Sequence, residues 1–489
     1  MVKSNTMGTG RTEQDNNVKI YQDTYYRLDY TKHHRLRIMR CKYLRQRGIV
    51  FVWVALTIFV LVLLVGLTLD TARVLLVAHQ LQNGADAAAL AGARLVKINH
   101  VDAQLQAIAI AAENLAHGDV IELYFNEDNL PGGDMVVGLY NRRDQIFTPV
   151  VPGTGYINAL KVVARRTADV HEPIPLIFGP LVDVFTSNVS RYAIGMPVGG
   201  DGAGLIALRP DDTGLLLHGD VFLNVESTTG NWNDGTIHIN SGDTNALLTH
   251  GTSVTVEASA INIDGEATIN GNFETEAPIN TGMGIIEDPL AGVPEPTWDP
   301  SVDEGTVDVN GGTWTLDPGY YSGGFRIGGE ANVTLNPGLY ILDGHGLKIL
   351  GQANFFAEGV MFFITGSGKV DIRGTGNVHA TPVPMDSEDP YYNHEYYTSN
   401  PSYVDNYGGI LFFQDRSNQS PAYIRGTSEL LSLEGTMYFP SNHVKLVGTG
   451  GTIGAQLIAW SIEIGGDGVF NINYDGRFKT LPFRSFLVE

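Results

Sequence analysis

Two carboxylate–guanidinium pairs, Asp371 with Arg373 and Asp415 with Arg416, are the side chains in this 489-residue sequence best placed for polysaccharide chemistry. A lyase needs clustered acids with a nearby Arg or Lys as base, and a hydrolase needs two or three carboxylates about one glycosidic bond apart. Here each pair stands alone at a strand end, followed by Gly374 or Ser417, where a charged pair at a chain corner is ordinary. The 13 histidines show no metal-ligand spacing, and Cys-x-x-Cys, His-Glu-x-x-His, Gly-x-Ser-x-Gly and phosphate-loop patterns are missing. Gly465-Gly466-Asp467-Gly468-Val469-Phe470 resembles one copy of a calcium-binding repeat, but calcium rolls stack several copies. It reads as a glycine-rich corner. The expectation is a chain with no enzymatic activity, no catalytic or metal-binding residues and no cofactor.

A different chemistry, contact rather than catalysis, is suggested by Met385–Tyr407. Six tyrosines, Tyr391, Tyr392, Tyr396, Tyr397, Tyr403 and Tyr407, accompany Asp386, Glu388, Asp389 and Glu395. Tyrosine faces stack on sugars and make rigid protein contacts, so the loop could bind glycans or a partner. It could equally fold back over the body of the protein and bury its own rings.

The elements around these residues are short alternating strands punctuated by Gly, Asn and Asp: Val221–Val225, Thr236–Asn240, Val254–Val256, Ile261–Asp264 and Ala267–Asn270. Fifty-eight glycines without a G-X-Y period exclude collagen and indicate a turn-dense β architecture. The repeat Thr315-Leu316-Asp317-Pro318-Gly319-Tyr320-Tyr321 returns as Thr334-Leu335-Asn336-Pro337-Gly338-Leu339-Tyr340, 19 residues on. That spacing fits one coil of a right-handed parallel β-helix with an apolar interior. Stacked sandwich sheets are the alternative. The expected fold is mainly β with an N-terminal transmembrane helix, and the β-helix covers residues 198–489 with insertions near 271–312 and 383–408.

Gly48–Leu69 is an uncharged run of 22 residues. As a helix it would be about 33 Å long, enough to span a bilayer. Arg35, Arg37, Arg40, Lys42, Arg45 and Arg47 crowd its upstream side, so residues 1–47 are expected to form a basic cytoplasmic tail. The remaining chain then lies outside the cytoplasm and holds all of the acidic excess behind the net charge of -22. That charge repels nucleic-acid phosphates and excludes a nucleic-acid partner. The single cysteine, Cys41, lies before the apolar run, so the exported part has no disulfide.

Beyond Leu69 the helix is expected to continue to about residue 98. Gly84, Ala88 and Gly92, with Ala85, Ala89 and Ala93, form small-residue ridges that allow close helix packing. The partner would be a helix of another protein or this chain's own second helix near Val101–His117.

Arg47-Gly48, the apolar run, Leu69-Asp70-x-x-Arg73 and Leu81-Gln82-Asn83-Gly84-Ala85-Asp86-Ala87-Ala88-Ala89-Leu90-Ala91-Gly92-Ala93 resemble the N-terminal region of TadE/TadG-like Flp pilus-assembly proteins. The resemblance runs over about residues 35–197. It continues through Val137–Tyr140, Phe147–Pro149, Ala159–Thr167 and Pro173–Phe178, making 99–197 the family's small α+β module. Trp53 stands where processed prepilin-like members carry glutamate, which implies a retained anchor. Many TadG-like members continue into a von Willebrand factor A domain, but its Asp-x-Ser-x-Ser metal loop is not found, so the C-terminal region is something else. The resemblance implies a single-pass protein of the bacterial inner membrane, with a periplasmic or extracellular domain. Its partners would be the lipid bilayer, pilus or envelope proteins and, for an adhesin, surface glycans.

Overall fold

The computed structural model describes residues 47–198, 202–426, 430–476 and 484–488. Cys41 and the basic flank from Arg35 to Arg45 lie outside the described residues. Two units divide the chain, Met1–Leu64 and Val65–Glu489.

Helix α1 runs from Arg47 to Ala93. From Ile49 to Leu64 its side chains are uncharged and almost uniformly exposed, including Phe51 and Phe59. A helix bare and apolar on all sides is stable where the surrounding medium is itself apolar. It is long and apolar enough to cross a membrane.

In the second unit α1 becomes one-sided. Val77, Ala78, Leu81, Ala85, Ala88 and Ala89 are buried at helical spacing against a second helix, α2, His100–Ala111. The side chain of Asn99 caps α2 by accepting from the amides of Val101 and Asp102. α1 ends at Ala93, five residues short of the expected stop, because the chain must turn there to bring α2 alongside. Beneath both helices lies a five-stranded antiparallel sheet in the order Arg484–Leu487, Val189–Val198, Ala159–Arg166, Met135–Asn141, Ile146–Pro149. Its edge strand comes from the far end of the chain, a pairing that a linear division at residue 198 does not foresee.

The rest is a 23-stranded sheet whose pairings are parallel. From Thr306 onward each strand pairs with the third strand after it, giving three ladders. One carries Thr306–Val309, Gly324–Ile327, Gly346–Ile349, Lys369–Ile372 and Ala422–Gly426. A second begins at Thr313–Leu316 and a third at Gly319–Tyr321, and the long strand Thr436–Ile453 extends all three in turn. The chain returns to the same ladder after 18 residues between Asp308 and Arg326 and after 22 between Asn332 and Asn354.

The 19-residue repeat is half in register. Thr315 and Leu316 pair with Thr334 and Leu335 as the repeat predicts, but Tyr321 pairs with Leu342, not with Tyr340. The equivalence survives in the corner. Tyr321 donates its hydroxyl to the carbonyl of Asp317 and Tyr340 donates to that of Asn336, four residues back in each case.

Spatial order departs from chain order. Strand Gln456–Tyr474 pairs on one side with Thr436–Ile453 and on the other with Ala203–Ala207 and Leu215–Ser227. The chain therefore enters the sheet in its middle and winds outward through Thr236–Ile239 and Leu247–Glu257 to Ile279–Asn280. The irregular stretch 281–305 then leads to Thr306, from which the chain winds back until Gln456–Tyr474 meets the strands where it began. Coils simply stacked in sequence order do not describe it.

Two features hold this seam. Gly426, Gly448, Gly466, Gly219, Gly251 and Gly271 occupy successive register positions across it. At Gly466, where φ is +111°, a Cβ would lie 2.6 Å from the Gly448 carbonyl oxygen. The segment Gly465–Phe470, expected as a glycine-rich corner, is thus strand bent at a file of glycines. Beside it Glu463 accepts hydrogen bonds from Lys445 and pairs with His218 at 2.9 Å and His443 at 3.2 Å, tying three neighbouring strands together. Burial pushes the Glu463 carboxyl up, but the bonds from Lys445, His218 and His443 outweigh it, and the pKa lies below its ordinary 4.5.

Gly466→Ala is expected to lower unfolding stability by about 2 kcal/mol or more, from the positive φ and the clash together. A denaturation midpoint unchanged from the parent would contradict the glycine file. Because the folded-state pKa of Glu463 is depressed, the unfolded chain takes up the proton first as pH falls. Its contribution is complete above about pH 4.5 and disappears as pH falls through the lower folded value. Glu463→Gln should cost roughly 1–3 kcal/mol at pH 7. That deficit should shrink between pH 5 and pH 3 in paired denaturant titrations.

Candidate functional site

The third ladder is apolar on both faces: Gly338–Leu342, Val360–Ile364 and Ile410–Gln414 are buried at every position. The inward side carries Tyr340, Phe362 and Phe412, whose ring centroids lie 5.9 and 5.3 Å apart in succession. The outward side, with Leu339, Met361, Phe363, Phe413 and Tyr438, needs a cover. Continuous apolar runs such as Val360–Ile364 are what strands buried on both faces require.

The tyrosine segment supplies that cover. It folds into two short helices, α3 (Glu395–Ser399) and α4 (Pro401–Tyr407), that lie on this face. Tyr397 and Tyr407 are buried, and Tyr391, Tyr392, Tyr396 and Tyr403 are half-buried. Tyr397 donates to the carbonyl of Gly359, and Tyr391 donates to the carboxylate of Glu358, which raises the Tyr391 pKa to about 12. Tyr396, Tyr397, Tyr403 and Tyr407 pack ring on ring, Tyr392 joins the same cluster, and Tyr391 lies at its edge.

The irregular stretch completes the cover with Leu290, Ile286 and Trp298. Arg416 holds it: its guanidinium donates to the carbonyls of Leu290 and Val293, its backbone amide to Glu295, and its side chain also reaches the Tyr438 hydroxyl. Tyr438 in turn donates to Asp288, whose pKa is raised by burial despite this bond. Asp415 is occupied by Ser417 and Thr365. Asp371, buried, is chelated by Arg373, which also lies 5.3 Å over the Tyr423 ring. Arg416 also pairs with Glu295 at 3.5 Å, and Asp288 lies beside it.

Acids do converge at the edge of the tyrosine cover. A cleft of about 690 Å³ is lined by Glu358, Asp386, Glu388, Asp389, Glu434 and Asp475, with no Lys or Arg among its described lining residues. Among the described residues no cluster of three or more His, Cys, Asp or Glu is arranged to hold a metal ion.

The second constellation lies on α1. The small-residue ridge packs within the chain: a Cβ on Gly92 would meet Leu160 and the Ala103 carbonyl, one on Gly84 would meet Ile121, and Ala85, Ala88, Ala89 and Ala93 are fully buried. Of the two partners expected for the ridge, the chain's own second helix and sheet occupy it. Immediately after the apolar run, Asp70 is almost fully buried and accepts three backbone hydrogen bonds, from Ile177 at 2.9 Å, Phe178 at 2.7 Å and Gly179 at 2.9 Å. Phe178 packs against Gly66, where a Cβ would come within 2.4 Å of its ring. Leu69-Asp70-x-x-Arg73 and Pro173–Phe178 are separate motifs in the sequence, and no local pattern signals that they meet.

Helix α1, with its small-residue ridge and Asp70, coincides with the part of the chain that known families describe. Residues 48–95 match the putative Flp pilus-assembly TadE/G-like family. This TadE/G-like segment comprises all but the first residue of α1 and falls inside the region where the resemblance was expected, ending before the small module's sheet. No curated protein and no solved structure matches the chain.

Asp70→Ala removes the acceptor of three amides and is expected to free the 174–187 hairpin from α1. Amide exchange at 177–179 should rise at least tenfold in the full-length protein while that of Ala159–Arg166 stays unchanged, consistent with the roughly 1.5–3 kcal/mol carried by a charged hydrogen-bond acceptor.

Proposed function

We propose that this chain is a non-enzymatic, pilus-related envelope protein anchored by the apolar half of α1 in the bacterial inner membrane. The tail before Gly48 lies in the cytoplasm and the acidic β region lies outside it. The observation that carries the reading is the TadE/G-like match at 48–95 on a helix long and apolar enough to span a bilayer. The excess of Lys and Arg before Gly48 supports the orientation.

In this reading residues 203–474 form a right-handed parallel β-helix that serves as a rigid body for contact with pilus or other envelope proteins. The strand-to-third-strand pairing and the apolar interior support it. The occupied state of Asp371, Arg373, Asp415 and Arg416 favours contact over catalysis. The tyrosine segment strengthens the flank of this body instead of projecting from it.

Protease added to spheroplasts tests the topology. An epitope placed before Gly48 should be protected while the chain after Asp70 is digested, and digestion of the epitope with protection of the rest would overturn the orientation. Deletion of the gene should abolish assembled pili, with rescue by the full chain and none by a form lacking residues 48–95.

A further inference from the structure

Residues 174–187 form a hairpin, with Ile174–Pro175 paired to Thr186–Ser187 and a tip closed by a 3-10 turn at Gly179–Val182. The tip sequence Ile177-Phe178-Gly179-Pro180-Leu181-Val182-Asp183-Val184-Phe185 holds one charge in nine residues. Its large apolar side chains point into solvent: Ile177 and Phe185 are each 63 % exposed, and Leu181, Val182 and Val184 are exposed as well. A contiguous apolar patch of this kind marks an interaction surface.

What covers it is indicated by where it is held. The tip is fastened to α1 through Phe178 against Gly66 and through the amides of 177–179 on Asp70. Gly66 lies inside the uncharged run Gly48–Leu69, and Asp70 is the first charge after it. The tip is therefore level with the last turn of the apolar run, held between Asp70 and a point about 4.5 Å inside the run's end at Leu69. Any bilayer that surrounds the run up to Leu69 must also meet the tip.

We propose that this hairpin is a second membrane contact, dipping into the outer interfacial layer of the same bilayer that α1 crosses. The inference rests on the spanning reading of α1. The depth suits an interfacial segment, which buries its apolar side some 5–10 Å into the boundary between headgroups and acyl chains. Asp183, the one charge of the tip, limits the depth to the headgroup level. Asp70 gains from the arrangement too. A carboxylate at the edge of the hydrocarbon is costly unless hydrogen-bonded, and the hairpin amides supply three donors at the point where water thins out.

The test uses the full chain in phosphatidylcholine vesicles, with Cys41→Ser as background and a nitroxide label on a single introduced cysteine. Labels at Leu181→Cys and Phe185→Cys should collide with dissolved oxygen in preference to a water-soluble nickel chelate, with a ratio several-fold above that at Val302→Cys, an exposed site in the irregular stretch. Val60→Cys, within the apolar run, reports on the spanning helix itself. Oxygen preference at 60 with chelate preference at 181 and 185 would place the tip in water and overturn the inference alone. Exclusion of both reagents at 181 and 185 would mean that a protein surface covers the tip, and would overturn it too. Chelate preference at 60 would instead remove the spanning reading, and the inference with it.

Discussion

Backbone hydrogen bonding in parallel ladders governs this protein. A strand in such a ladder leaves its N–H and C=O groups open on both edges until a neighbour meets them, and a buried unmet group costs about as much as a lost hydrogen bond. Strand Gln456–Tyr474 answers that demand for two stretches of chain at once, joining the last strands laid down to the first. Without it the 203–280 strands and the 306–453 strands would each present an open edge, the situation that leads sheets to pair with foreign chains. The file of glycines crosses this strand at Gly466, and Glu463 on it joins the two strands that flank it through His218 and Lys445.

The same demand explains how the β region is attached. The chain leaves the five-stranded sheet after Val189–Val198 and returns to it at Arg484–Leu487, so both ends of the parallel region are tied to one small sheet. That sheet packs on α1 and α2, and α1 runs on into the apolar segment. From Asp70 outward the connections are short and hydrogen-bonded, and the 174–187 hairpin braces the helix where it leaves the apolar run.

Some of this was readable from residue types alone. The apolar run, the alternation of the strands, the small-residue ridge and the cover-or-binding ambiguity of the tyrosine segment all follow from local pattern. The repeat at Thr315 and Thr334 revealed a true register, then lost it at Tyr321, because the corner tyrosines hold their local geometry while the strand beyond slips two residues. The pairs Asp371–Arg373 and Asp415–Arg416 were visible as charges. Only their surroundings show that Arg373 lies over the Tyr423 ring and that Arg416 holds the irregular stretch in place.

The sequence by itself determined which segments are strand, which helix can live in lipid, and where charge is absent, since periodicity, length and composition act within a few residues of one another. Tertiary structure alone decided which strands are neighbours, that chain order and spatial order differ, that Asp70 meets 177–179 across more than a hundred residues, and that the tyrosine segment covers the outward face of the third ladder. Those outcomes depend on long-range closure and on which apolar faces remain uncovered after the ladders form. A parallel strand pattern is satisfied by many partners locally, and only the assembled sheet selects one.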